Sequence, residues 1–147
     1  VIYLDTSALI KRFVNEKGSP LVQSIVQGRE AIATAKIAYA EIFAALARKL
    51  RENNLSKAHY AVACRQFESD WQAYLRAELE DAILLLARDL IQRHPLRGYD
   101  AVHLASALRL KIALGVEITF AAADGRLLKA AEAENLKPLN VEKALVS

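Results

Sequence analysis

The strongest constraint on this chain is a repeated transition: a short, wholly apolar run stops at an aspartate and gives way to a helical pattern. Val1-Ile2-Tyr3-Leu4 stops at Asp5, and Ile118-Thr119-Phe120-Ala121-Ala122-Ala123 stops at Asp124. A strand without polar alternation is buried on both faces, as a parallel strand between helical layers is. Ala31-Ile32-Ala33-Thr34 reads as a third such strand, with shorter ones at Ala77 to Glu80 and Leu139 to Val141. Helices are predicted from Ser7 to Val14, from the Gly18-Ser19-Pro20 start to Gln27, and from Lys36 to Asn53. A further helix capped by Ser56 carries Tyr60, Cys64, Phe67, Trp71 and Leu75 at helical spacing. Others run from Asp81 to His94, Tyr99 to Leu114 and Asp124 to Asn135. Strands alternating with helices predict an α/β domain with a parallel sheet.

Length and composition narrow the class. At 147 residues with 54% hydrophobic content, the chain is expected to form one domain over 1–147 and is too apolar for disorder. Its longest apolar runs, Ala82 to Ala87 and Ile118 to Ala123, fall far short of the ~18 residues of a membrane span. A single cysteine, Cys64, excludes a disulfide framework and a cysteine zinc site. With no signal-peptide pattern at the start, it points to a reducing, cytoplasmic setting. The sequence holds no Met, so the initiator is expected to have been removed. The net charge of +3 is compatible with a nucleic-acid partner without establishing one.

The placement of the acids says more. Asp5 and Asp124 follow strands whose carboxyl ends share one sheet edge, where ligands bind in open α/β sheets, although each could equally cap the next helix. Glu41 shares a helix face with Ile37, Ala38, Ala44 and Ala45, and Asp100 with Leu104 and Ala107. Both acids are therefore predicted on buried faces, where an unpaired carboxylate costs several kcal/mol at least. An Arg or Lys partner would answer that cost, and Asp100 could also serve as a negative charge at a helix start. Four acids brought together favour a hard divalent cation, and oxygen-only ligands suit Mg²⁺ or Mn²⁺ over Zn²⁺. Such a site can activate water and hydrolyse a phosphodiester.

These motifs resemble the PIN-domain ribonucleases, specifically the VapC toxins of prokaryotic toxin–antitoxin pairs. The matching stretches are Ile2-Tyr3-Leu4-Asp5-Thr6-Ser7-Ala8-Leu9, Ala40-Glu41, Arg97-Gly98-Tyr99-Asp100-Ala101-Val102-His103-Leu104-Ala105-Ser106-Ala107, and Phe120-Ala121-Ala122-Ala123-Asp124. The resemblance implies a three-layer α/β/α sandwich with a central parallel sheet, and a metal site of Asp5, Glu41, Asp100 and Asp124. It implies Mg²⁺- or Mn²⁺-dependent cleavage of RNA, inhibition by a VapB-like antitoxin, and a homodimer. Thr6 or Ser7 would orient a ligand water or the phosphate. Two departures stand out. Ala122 replaces a Thr or Ser that many relatives carry, and Gly125-Arg126-Leu127-Leu128 offers no acid for a second metal, so one ion is expected rather than two.

RNA needs cations around such a pocket, and Lys11, Arg12, Arg97, Arg126 and Lys129 lie close in sequence to the four acids. His103, one turn past Asp100, either contacts the site or is simply a satisfied residue at a helix edge. Trp71, Phe67 and Tyr74 read as core, or in part as a groove for an antitoxin helix. Two rival functions differ in kind. A haloacid-dehalogenase-type phosphatase would use Asp5 as nucleophile, but needs an acid where Ser7 stands. A non-catalytic PIN-like binding module is the other, and retention of all four acids argues against it.

Overall fold

The computed structural model describes residues 1–143. Five strands form one wholly parallel sheet: β1 (Ile2–Leu4), β2 (Ile32–Ala35), β3 (Leu75–Ala77), β4 (Thr119–Ala122) and β5 (Lys137–Asn140), in the order β3-β2-β1-β4-β5. The chain builds outward from β1 to β3, then returns to lay β4 on the other side of β1. The point where strand order reverses therefore lies between β1 and β4, and a crevice opens at their carboxyl ends. Registry sets Tyr3 beside Phe120 and Leu4 beside Ala121.

The helices are α1 (Thr6–Leu9), α2 (Ser19–Val26), α3 (Ile37–Arg51), α4 (Lys57–Trp71), α5 (Asp81–Arg93), α6 (Gly98–Leu114) and α7 (Gly125–Ala133). Period-two alternation sends Tyr3, Phe120 and Ala122 into a core with α5, α6 and α7. Leu4 and Ala121 point the other way, into a core with α1 to α4. The result is the three-layer α/β/α sandwich. No helix of the described residues is long and apolar enough to cross a membrane.

Several boundaries differ from expectation. The first helix stops at Leu9 and tightens into a 3₁₀ turn, Ile10–Arg12, instead of running to Val14. The third strand in chain order is Leu75–Ala77, not Ala77 to Glu80: α4 ends at Trp71, and Leu75, which continues the helical spacing, instead lies on the sheet's edge. The last strand starts at Lys137 and contains Pro138, which an edge strand tolerates because its missing N–H is not needed. Phe67, Trp71 and Tyr74 are buried at 0%, 7% and 6% exposure, so they are core and not a groove.

Candidate active site

Each of the four acids is brought to the sheet's carboxyl edge by a separate element. Asp5 follows β1, Asp124 follows β4, Asp100 lies in the first turn of α6, and Glu41 lies near the start of α3. Asp5 and Asp124 also cap helices. Asp5 Oδ1 accepts from the Ala8 amide at 2.9 Å, and Asp124 Oδ1 from the Arg126 amide at 2.8 Å. Capping and a site role are compatible here, since Asp124 Oδ2 remains to face the crevice. Asp100 is buried, as expected, but Glu41 is only half-buried. The core stripe of α3 is Ala38, Ile42 and Leu46, and Ala44 is exposed, so Glu41 sits at the rim of the buried face.

Hydroxyl and amide donors position the carboxylates. Ser7 Oγ donates to Asp5, lying 2.7 Å from Oδ1 and 3.0 Å from Oδ2, and accepts from the Ala123 amide at 3.0 Å, tying the β1 and β4 ends together. Thr6 Oγ1 donates to Glu41 Oε1 at 2.7 Å. Burial pushes Asp5 up to about 6, with Asp100 adding to the rise, while His103, Ser7 and the Ala8 amide oppose it. Burial also pushes Glu41 up, but its interaction with His103 and the Thr6 hydroxyl outweigh it and hold the carboxyl below its ordinary value. Arg97 supplies positive charge: its Nε donates to Asp100 Oδ2 at 3.0 Å, and a terminal nitrogen stands 3.8 Å from Asp124 Oδ2. Its guanidinium lies 4.8 Å from the centre of the Tyr99 ring. Arg97, Asp100, Asp124 and Arg126 line an open cleft of about 270 Å³ with Pro95 and Leu96.

The donors are all hard oxygens, and burial lifts Asp5, with the Asp100 charge adding to it, which is the chemistry a hard divalent ion relieves. Among the described residues, however, no three His, Cys, Asp or Glu side chains form a ready-made metal cage. The agreement with a divalent ion lies in donor type and charge.

The PIN domain family matches residues 2–133. Ribonuclease VapC49 of Mycobacterium tuberculosis (strain ATCC 25618 / H37Rv) is 40% identical over 108 residues, 74% of this chain and 75% of that protein. The chain belongs to the VapC-type PIN-domain family. The fold of this PIN domain is shared by FitAcB from Neisseria gonorrhoeae, with a TM-score of 0.68 at 15% identity over 96% of this chain and 98% of that one. A toxin–antitoxin complex from Klebsiella pneumoniae superposes with a TM-score of 0.62 at 16% identity, covering 96% of this chain and 98% of its own.

Two of the cations expected around the site of this PIN domain are committed elsewhere. Lys11 is 3% exposed, and its ammonium pairs with Glu142 at 2.8 Å and Glu16 at 3.1 Å. Arg12 pairs with Asp70 at 3.1 Å and donates to the Gln23 side chain. The 3₁₀ turn carries both toward α2, α4 and the segment after β5, where carboxylates meet the cost of burying charge. Lys11→Met is accordingly expected to lower stability by about 1–2 kcal/mol, since its partners are partly solvated, while leaving RNA cleavage unchanged. Thermal melting beside a cleavage assay checks this. Arg126 and Lys129 are exposed, three residues apart on α7, and form no ion pair among the described residues. Sequence reasoning missed Tyr3, whose hydroxyl meets His103 across a separation of 100 residues. A Tyr inside an otherwise aliphatic strand was its only signal, because a buried hydroxyl needs a partner.

Proposed function

We propose that this chain, acting as one PIN-like domain over 1–147, is a ribonuclease that hydrolyses RNA phosphodiesters with Mg²⁺ or Mn²⁺ held by Asp5, Glu41, Asp100 and Asp124. Ribonucleases of the PIN family are generally metal-dependent. The observations that support the reading are the position of all four acids at the sheet's carboxyl edge, with Asp100 and Asp124 lining one cleft and Asp5 buried and lifted to about 6. A single ion is proposed, because Gly125, Arg126, Leu127 and Leu128 bring no further acid.

When bound, the ion supplies water activation and neutralises charge on the phosphate. Ser7 fixes the Asp5 carboxylate and Thr6 fixes Glu41. Arg97, held beside Asp100 and Asp124, keeps further N–H groups for the phosphate. Arg126 and Lys129 extend that positive edge along the RNA backbone. Attack by water on phosphorus breaks the P–O3′ bond, leaving a 3′-hydroxyl and a 5′-phosphate and sparing the RNA 2′-hydroxyl from the reaction. Product-end analysis of a cleaved oligoribonucleotide tests this reading. A 2′,3′-cyclic phosphate would identify attack by the 2′-hydroxyl and refute it. Arg126→Ala and Lys129→Ala are each expected to raise KM several-fold with kcat unchanged. Each should also reduce the slope of log affinity against log salt by about 0.7, which a salt titration of RNA binding measures.

A VapB-like antitoxin is the proposed partner, supported by the likeness to the Klebsiella toxin–antitoxin complex. Exposed Leu84, Leu85 and Ile91 on α5 and Ile112 on α6 support a homodimer. A reducing, cytoplasmic setting is proposed on the single free Cys64.

A further inference from the structure

His103 is a buried imidazole, 1% exposed, with a partner on each nitrogen. Tyr3 Oη lies 2.7 Å from Nδ1, and Glu41 Oε1 lies 2.8 Å from Nε2. A carboxylate only accepts, so Nε2 carries the hydrogen that faces Glu41. Nδ1 then accepts, and the Tyr3 hydroxyl donates to it. Tyr3 is itself fixed, stacked on Phe120 with centroids 5.3 Å apart and planes 7° from parallel. The Thr6 hydroxyl donates to the same Glu41 oxygen at 2.7 Å. Both donors therefore fall on Oε1, and among the described residues no hydrogen bond reaches Oε2.

We propose that His103, set in one tautomer by Tyr3, is a positioning residue that holds Glu41 by Oε1 and presents Oε2 to the divalent cation. This rests on the reading of Glu41 as an ion ligand. A half-buried Glu side chain is otherwise free to rotate away, and outer partners of this kind orient ligands and tune metal affinity elsewhere. A merely structural His103 would affect melting but not ion affinity.

Mn²⁺ binding to the purified protein without RNA, followed by the loss of the free-ion EPR signal at fixed pH, separates the two. His103→Ala is expected to weaken Mn²⁺ affinity about 10–100-fold. His103→Gln retains an N–H donor and should recover most of it, and Tyr3→Phe, which keeps the ring and loses only the hydroxyl, should show a smaller loss. Melting in EDTA identifies which variants fold. Wild-type affinity in folded His103→Ala would overturn the proposal. If that variant does not fold, wild-type affinity in Tyr3→Phe would overturn it instead. Failure of the wild-type protein to bind Mn²⁺ would remove the metal reading and this proposal together, whereas wild-type-like variants would remove only this one.

Discussion

Asp5→Asn is expected to lower RNA cleavage by about 10³-fold or more while raising the melting temperature of the protein in EDTA at neutral pH. The loss of activity follows from removing a charge that holds the ion, whose stabilisation of the transition state is worth several kcal/mol. The gain in stability follows from burial. Asp5 is 3% exposed and titrates at about 6 in the folded chain, against about 3.9 for an unfolded Asp. Between pH ~4 and ~6 the folded state holds a proton that the unfolded state has released, so the contribution of this group to stability falls as pH rises. By pH 7 the ionised carboxylate costs on the order of 3 kcal/mol. Asn removes that cost, so the variant's advantage in melting temperature should grow from pH 4.5 to 7.5. Glu41 acts with the opposite sign: its carboxyl is held low, so its contribution is present at neutral pH and lost on acidification. Because Glu41 is common to both proteins, their difference isolates Asp5. A variant that lost stability at every pH would contradict the burial cost assigned to Asp5.

The largest effect on stability is expected from Phe120→Ala, about 3–5 kcal/mol. Phe120 lies on β4, between β1 and β5, is fully buried, and stacks on Tyr3 in the core formed with α5, α6 and α7. Its removal leaves a cavity that the flanking strands cannot close without breaking their ladders. A chain of this size should lose roughly 6–20 °C in melting temperature, and urea unfolding should give the matching free energy. Val62→Ser, at a position 51% exposed on α4, should fall within ±0.5 kcal/mol of wild type by the same measurement.

Much of this was legible because the most buried strands are also the least ambiguous. The runs ending in Asp5 and Asp124 have to be central and parallel, and parallel strands share a carboxyl edge, so the sequence alone locates both acids. Edge strands carry weaker signals: Leu75 continues the spacing of α4, and Pro138 sits inside β5, so both strands were displaced by a few residues. Glu41 was read as more buried than it is, because its Ala neighbours do not distinguish a core stripe from the rim beside it. Lys11 and Arg12 were misassigned for a different reason. Proximity in sequence to Asp5 suggested the site, but their partners Glu142 and Asp70 lie far along the chain. The Tyr3–His103–Glu41 chain joins three elements in the same way, and no local pattern encodes it.

The central claim is that acids gathered at the reversal of strand order hold a divalent ion that drives RNA cleavage. Its most direct test is cleavage of an end-labelled RNA by protein first dialysed against EDTA and then titrated with Mn²⁺ or Mg²⁺. The expected result is no cleavage in EDTA, saturable recovery with either ion, and no recovery for Asp5→Asn. Undiminished cleavage by the wild-type protein in excess EDTA would contradict the account.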